Sequence, residues 1–357
     1  VLHIGHDGDP KGVAYSHRSI YLHSMETCMS ESLNIAQGDR VLAVVPQFHA
    51  MAWGLPYTAF MVGASLILPD RFLQPEPLVE LITAEKPTYG AAVATVWQGI
   101  RLHLQQSPAD ISSMREVLIG GSPVPPALMH AYAELGVQVL HAWGLTETSP
   151  IASMARPPEG TEGEDRWAYR YTQGRLPASV QARVVDDLGE PLPHDGVGIG
   201  EIEVRGPWVT GAYYGVDAPE KFHDGWLRTG DVGSITSEGF LTLTDRTKDI
   251  IKSGGEWISS VDLENAVMAH PEVVEAAVIG IPDERWDERP LVAVVVQAGS
   301  ELNMDDLREF ISTKVAKWQL PNSWAVVNEV PKTSVGKFDK KQLRTRFREG
   351  ELDVVQL

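Results

Sequence analysis

The chain has 357 residues, 43% hydrophobic and 22% charged, a globular composition long enough for two or three domains. Its 48 acidic residues outnumber 30 basic ones, for a net charge of −18; this argues against nucleic-acid binding, which needs a concentrated basic face, and leaves room for a local basic patch that receives an anionic cofactor. The single cysteine, Cys28, excludes an internal disulfide and a cysteine-based metal cluster, and fits a reducing, cytoplasmic setting.

The opening stretch, Val1 to Asp7, has no basic region or cleavage pattern of a secretion signal, and it lacks an initiating Met. Gly8 to Val13 is a turn-rich loop leading to a helix capped near Ser16. Asp39 to Val45 reads as a strand stopped by Pro46. The longest uncharged run, Ala50 to Pro69, is interrupted by Gly54, Pro56, Thr58, Gly63 and Ser65, so a buried helix and a strand at Ala64–Leu68 fit it better than a membrane span. Helix Pro77–Glu85, strand Thr88–Ala94, helix Val96–Gln105, strand Glu116–Ile119, helix Pro125–Leu135 and strand Val137–Leu140 follow. This alternation predicts a mainly parallel α/β sheet, with ligand loops at the carboxyl ends of the strands. Pro157 to Arg166 reads as an exposed loop. From Gly174, short strands (Val180–Val185, Gly200–Arg205, Phe240–Leu243) between Gly, Pro and Asp turns predict a small antiparallel barrel or sheet. Gly196-x-Gly198-x-Gly200 runs into a strand rather than a helix, which excludes a dinucleotide fingerprint. After Asp245–Asp249 comes an α+β module with helix Ser260–His270, strands Val273–Ile281 and Leu291–Val296, helix Asp305–Val315 and a basic helix Lys340–Arg348.

Several residues along this path suit nucleotide chemistry. Trp143 offers a flat face to a heterocycle, Gly144 lets the backbone approach a ligand, Thr146 suits a phosphate oxygen, and Glu147 is a hard ligand for Mg²⁺. An ordinary strand followed by a polar turn is equally open there. Asp231, in Arg228-Thr229-Gly230-Asp231, can accept both hydroxyls of a ribose or form an Asx-turn. Arg246 suits the same sugar or a surface ion pair. Lys337, beside Gly336, can neutralise charge developing on oxygen or remain an ordinary solvated lysine. His49 can gate an apolar pocket or sit as a satisfied core histidine.

Taken in order, these motifs resemble one family, the adenylate-forming acyl-CoA synthetases, whose superfamily also holds luciferases and peptide-synthetase adenylation domains. The resemblance runs from Gly8 to Arg344. It rests on Gly8-Asp9-Pro10-Lys11-Gly12, Pro46-Gln47-Phe48-His49, Gly120-Gly121-Ser122, Trp143-Gly144-Leu145-Thr146-Glu147, the run Gly200 to Gly206, Arg228 to Asp231, Asp245 to Glu256, and Pro331 to Lys337. It implies attack of a carboxylate on ATP to give acyl-AMP and pyrophosphate, then displacement of AMP by the CoA thiol. It implies that Trp143 stacks on adenine, with Gly120, Gly121, Ser122, His141, Ala142 and Gly144 around it. Lys11 and Thr146 serve phosphate, Glu147 holds Mg²⁺, Asp231 and Arg246 hold ribose, and Lys337 bridges the reacting oxygens. Lys248 is the matching hinge, and Lys252, Gly254, Gly255, Glu256 and Trp257 fall in the segment whose glycines face the thiol tunnel. The implied fold has a large N-terminal adenylation domain over 1–245, short of its usual upstream part, with 174–245 as an antiparallel subdomain, and a mobile C-terminal domain over 246–357.

Within the family, Phe48 to Tyr57 and Gly255 to Ser260 look like the medium- and long-chain fatty acyl branch, with His49 and Trp53 at the pocket mouth. A plain core role for Trp53 is equally open. The partners so implied are a fatty acid, ATP and CoA, with peripheral membrane contact to collect substrate and a homodimer as further expectations. The residues before Gly8 are Gly5-His6-Asp7, without the hydroxyl-rich stretch that wraps the triphosphate in relatives; either the chain is truncated or separate pieces are joined there. The alternatives are acyl transfer to a carrier protein and a non-catalytic nucleotide-binding module.

Overall fold

The computed structural model describes residues 2–4, 10–186, 188–333 and 336–357, with backbone alone for 2–4 and 10. Gly5 to Asp9, Ser334 and Val335, which belong to the motifs above, lie outside the described residues. The chain divides into two units, Val1–Leu243 and Thr244–Leu357.

In the first unit, apolar runs punctuated by helices give adjacent parallel strands in the order Ser65–Ile67, Arg40–Ala43, Tyr89–Ala92, Glu116–Gly120 and Gln138–Gly144. Helices Pro75–Glu85, Ala94–Gln106 and Pro126–Glu134 cover them with a core that includes the fully buried Trp97 and Tyr132. The antiparallel strands do not stand apart from this sheet. Through Ile151–Met154, Gly174–Arg175 and Phe240–Arg246, the same hydrogen-bonded order continues to Trp226–Ile235, Gly200–Arg205, Gln181–Val185 and Pro191–Leu192. Extended backbone leaves its edge groups to be satisfied by a neighbour, and here one ladder satisfies both kinds of strand.

Two segments depart from the sequence expectations. Helix Gly163–Tyr171 begins inside the stretch expected to be a loop. Glu164 and Asp165 sit favourably at its N-terminus, Trp167 packs against the main core, and buried Arg170 bonds Gln138 at 3.0 Å. A polar sequence with these few anchors hides a helix whose stability is tertiary. In the uncharged run, Ala50, Met51, Ala52 and Trp53 have φ of 39°, 51°, 51° and 56°, a left-handed turn of non-glycine residues, before Gly54 and the ordinary helix Leu55–Val62. Left-handed backbone costs an L-residue about 1–2 kcal/mol, so the surrounding packing holds this turn.

The second unit is a sheet built around the long antiparallel pair Val273–Asp283 and Asp287–Val296. Strand Ser323–Val326 joins in parallel, and helices Ser260–Met268 and Met304–Ser312 supply its core with Leu263, Val267, Leu307 and Ile311. Among the described residues, no helix is long and apolar enough to cross a membrane.

Candidate active site

Strand Gln138–Gly144 runs further than its apolar start suggests, carrying His141, Ala142 and Trp143 within the sheet, and a single 3-10 turn, Thr146–Thr148, follows. Gly144 is required there, since a Cβ would stand 1.9 Å from the Pro150 carbonyl oxygen. Trp143 is 6% exposed and belongs to the apolar cluster of Ala152, Val180, Val204 and Trp208. Its indole N–H donates to the Asp231 carboxylate at 2.7 Å. Asp231 lies in strand Trp226–Ile235, its own N–H donating to Thr229 Oγ1 at 3.1 Å. Two residues 88 positions apart thus form one buried pair.

Thr146 and Glu147 are buried at 7% and 5%. The Tyr213 hydroxyl donates to Glu147 Oε1 at 2.6 Å, and the Lys11 ammonium stands 5.2 Å from the centre of the Tyr213 ring. Tyr15 donates to the Thr146 carbonyl, and the Thr210 N–H to the Glu147 carbonyl at 2.7 Å. Burial and then the Glu147 charge raise the Tyr15 pKa well above the usual tyrosine value, which keeps the hydroxyl a donor. Lys11, Thr146 and Glu147 are therefore brought together by Tyr15 and Tyr213. Neither tyrosine announces itself in the sequence; Tyr213 has only its place between Gly211 and Gly215.

Gly120 ends strand Glu116–Gly120, where a Cβ would lie 2.9 Å from the Ala142 carbonyl oxygen and 3.6 Å from the tip of the Trp53 ring. Trp53 is 6% exposed and so stands buried beside the Gly120-Gly121-Ser122 turn. His141 is buried in the next strand, and burial lowers its pKa to about 4. His49 precedes the left-handed turn and is half-buried. Beneath that turn, His23 Nε2 accepts from the Ile151 N–H at 3.1 Å, and a Cβ on Gly54 would come within 2.9 Å of the His23 ring. Burial lowers the His23 pKa to about 3, so the ring is neutral and Nδ1 carries its proton.

The remaining site residues lie in the second unit. The Arg246 carbonyl accepts from the amides of Asp249 and Ile250 at 2.8 and 2.9 Å. Lys248 is exposed beside them; burial of its stem lowers its pKa, with Asp249 opposing. Lys252 and Glu256–Trp257 are exposed on the hairpin Ile251–Ser253/Glu256–Ile258, which turns at Gly254 and Gly255. A Cβ on Gly254 would meet the Trp286 ring at 2.6 Å, whereas one on Gly255 meets nothing. Gly254 thus has a packing reason inside its own unit besides any room it leaves for a thiol. The Lys337 N–H donates to Thr333 Oγ1 at 3.2 Å, and Lys332 pairs with Glu275 at 2.6 Å. Lys11, His49, Trp53, Gly120 to Ser122, His141 to Gly144, Thr146, Glu147 and Asp231 lie in the first unit, and Arg246, Lys248, Lys252, Gly254 to Trp257 and Lys337 in the second.

Residues 5–214 match the AMP-binding enzyme family, and residues 262–337 match the AMP-binding enzyme C-terminal domain. A medium-chain-fatty-acid–CoA ligase of Ectopseudomonas oleovorans is 43% identical over 96% of this chain and 64% of its own length. A long-chain-fatty-acid–CoA ligase of Thermus thermophilus is 43% identical over 96% of this chain and 65% of its own length. The crystal structure of an anthranilate CoA ligase in complex with anthranoyl-AMP superposes with a TM-score of 0.86 at 26% identity, covering 96% of this chain and 66% of that one. The chain therefore spans just under two thirds of the length of those curated relatives, and it belongs to the AMP-binding enzyme family.

Proposed function

We propose that the protein activates a medium- or long-chain fatty acid with ATP and passes the acyl group to CoA. In the first half-reaction a carboxylate oxygen attacks the α-phosphorus, the bond to the bridging oxygen breaks, and pyrophosphate leaves. In the second, the CoA sulfur attacks the acyl carbon and AMP leaves with the electron pair. The observation that carries the reading is the buried grouping of Trp143 with Asp231 and of Thr146 and Glu147 with Lys11 and Tyr213. It gathers a buried indole bonded to a carboxylate suited to a ribose, a hydroxyl and a cation suited to phosphate, and a hard oxygen ligand. The identity to two fatty-acid–CoA ligases supports the substrate class.

Glu147 fits Mg²⁺: its carboxylate is buried, fixed by Tyr213 and hard. Among the described residues no cluster of three metal-ligating side chains exists, which suits an ion that keeps water and takes most of its ligands from phosphate. Bound there, the ion would neutralise charge building on the phosphate oxygens. The chain's own part is to hold ribose by Asp231 and Arg246, to place phosphate by Thr146 and Lys11, and to meet the developing charge with Lys337. Lys248 as hinge, Gly255 facing the thiol, and His49 and Trp53 at the acyl mouth belong to the same proposal, as does a cytoplasmic location.

A panel of linear, aromatic and charged carboxylates, scored by pyrophosphate release with and without CoA, tests it. Linear fatty acids should give release, and CoA should convert it to turnover with acyl-CoA as product. Release without acyl-CoA would transfer the reading to a carrier-protein acceptor. Absence of carboxylate-dependent release, or full release by Lys337→Ala, would overturn it.

A further inference from the structure

The second unit holds a buried charge network that the proposed chemistry does not use. Lys340, the first residue of helix Lys340–Arg348, lies three positions after Lys337. Its side chain is 13% exposed, and its ammonium reaches Glu264 Oε1 at 2.7 Å and Ser260 Oγ at 2.6 Å. Glu264 is also fixed by the Val278 N–H at 2.8 Å. The Ser260 hydroxyl, fully buried, donates to Asp245 Oδ2 at 2.6 Å, and the Ser260 N–H donates to the same oxygen at 2.7 Å. The other oxygen, Asp245 Oδ1, accepts from the Arg246 N–H at 2.7 Å. An unbroken chain of short, charge-assisted bonds therefore runs from the base of the Lys337 loop to the backbone of Arg246.

Such an arrangement is costly unless every member is satisfied, because an unpaired buried charge destabilises strongly. Burial disfavours the Lys340 ammonium, and Glu264, Asp245 and Asp249 more than offset it, so its pKa stands above the ordinary lysine value. The residues flanking Lys337 carry bonds of their own. Thr333 and Lys337 bond each other through N–H and carbonyl at 2.8 Å, the Asp339 N–H donates to the Pro331 carbonyl at 2.7 Å, and Lys332 is tied to Glu275.

Resting on the function proposed above, the geometry points to Ser260 and Lys340 as positioning residues that latch the base of the Lys337 loop to the Asp245–Arg246 segment across the Lys248 hinge, so that in this arrangement the two cations meet a nucleotide in a set spacing. Ser260→Ala is the clean perturbation. It cuts the chain at the hydroxyl, while Lys340 keeps Glu264 and Asp245 keeps the residue 260 amide. A misplacement of order 1 Å costs up to about a hundredfold in rate, and a loosened anchor should cost roughly tenfold.

The experiment measures three quantities in the whole protein, wild type and Ser260→Ala: pyrophosphate exchange, thioester formation from a supplied acyl-AMP and CoA, and deuterium exchange at the amides of Gly336, Lys337 and Asp339. Pyrophosphate exchange should fall roughly tenfold in kcat, with thioester formation and thermal midpoint little changed, and the three amides should exchange several-fold faster. In a Lys337→Ala background, Ser260→Ala should lower exchange kcat far less than in the wild type, because one of the two cations it positions is gone. Equal loss in both half-reactions, additive loss in the double variant, or unchanged amide exchange would overturn the positioning role. Loss in Lys337→Ala with none in Ser260→Ala refutes this inference and leaves the proposed function standing; full activity in Lys337→Ala refutes the function itself. Lys340→Met with Glu264→Gln, which removes both charges together, should reproduce the Ser260→Ala pattern.

Discussion

Trp143→Phe isolates the contact that joins the nucleotide motif to the candidate ribose carboxylate. The substitution keeps an aromatic ring in the cluster of Ala152, Val180, Val204 and Trp208 and deletes one donor, the N–H that stands 2.7 Å from Asp231 Oδ2. A hydrogen bond to a charged group contributes about 1.5–3 kcal/mol, more when the partner stays buried, and Asp231 is 3% exposed. The smaller ring adds roughly 1 kcal/mol through lost apolar area. The first unit should therefore lose roughly 3 kcal/mol, a fall of about 6–12 °C in its thermal midpoint at about 2–4 °C per kcal/mol. Asp231→Asn keeps an acceptor oxygen but drops the charge, so Trp143→Phe should be milder in that background by about 1 kcal/mol. Urea unfolding of the four proteins of the cycle, with the KM for ATP measured alongside, tests this. Each single variant should raise that KM, since each frees or neutralises the same carboxylate. If Trp143→Phe costs the same with Asp231 or Asn at that position, the carboxylate charge adds nothing to the bond and the coupling argument is wrong.

Other expectations come from the same geometry. Gly54→Ala places a methyl 2.9 Å from the His23 ring at φ +77°, so it should destabilise by roughly 2–3 kcal/mol in denaturant unfolding; an unchanged midpoint would refute the close approach. Lys86→Gly replaces an exposed residue at φ 48° just past helix Pro75–Glu85, and should stabilise by about 1 kcal/mol; a loss of stability there would count against the left-handed cap. Gly254→Ala should weaken the second unit because its methyl meets Trp286, whereas Gly255→Leu meets no neighbour and should cost only the backbone strain of φ +85°, about 1–2 kcal/mol, while sparing adenylation and blocking thioester formation; thermal melts paired with half-reaction rates separate the two. His23 and His141 have folded pKa values of about 3 and about 4 against 6.5 when unfolded. The unfolded chain therefore binds protons first, and their contribution is complete above pH 6.5 and lost as pH falls toward the folded values. By pH 5 each histidine should have withdrawn about 2 kcal/mol. Urea midpoints from pH 7 to 5 should fall, less steeply in His23→Gln; an identical slope would remove His23 from the account.

Much of the molecule was legible along the chain, for reasons local to it. Short apolar runs alternating with helical patterns pointed to the parallel core, and helix Lys340–Arg348 emerged with the bounds its sequence suggests. The stretch Trp143 to Glu147 and the positions Asp231, Arg246 and Lys337 carried chemistry in their residue types and order. The helix at Gly163–Tyr171 escaped because its anchors, Trp167 on the core and Arg170 on Gln138, are distant in sequence. The left-handed turn at Ala50–Trp53 escaped because nothing in Ala-Met-Ala-Trp favours positive φ; packing imposes it.

What sequence alone determined is the set of groups available: which side chains can stack, ligate, donate or carry charge, and in what order they come. What only tertiary structure decided is how they are held. Trp143 proved to be buried and bonded to Asp231 rather than merely presenting a face, Glu147 is held by Tyr213, and Asp245, Ser260 and Lys340 form one chain. Those partners are set by long-range contacts that no local spacing encodes, because a hydrogen bond is sensitive to tenths of an ångström and the path joining its two ends is the whole fold.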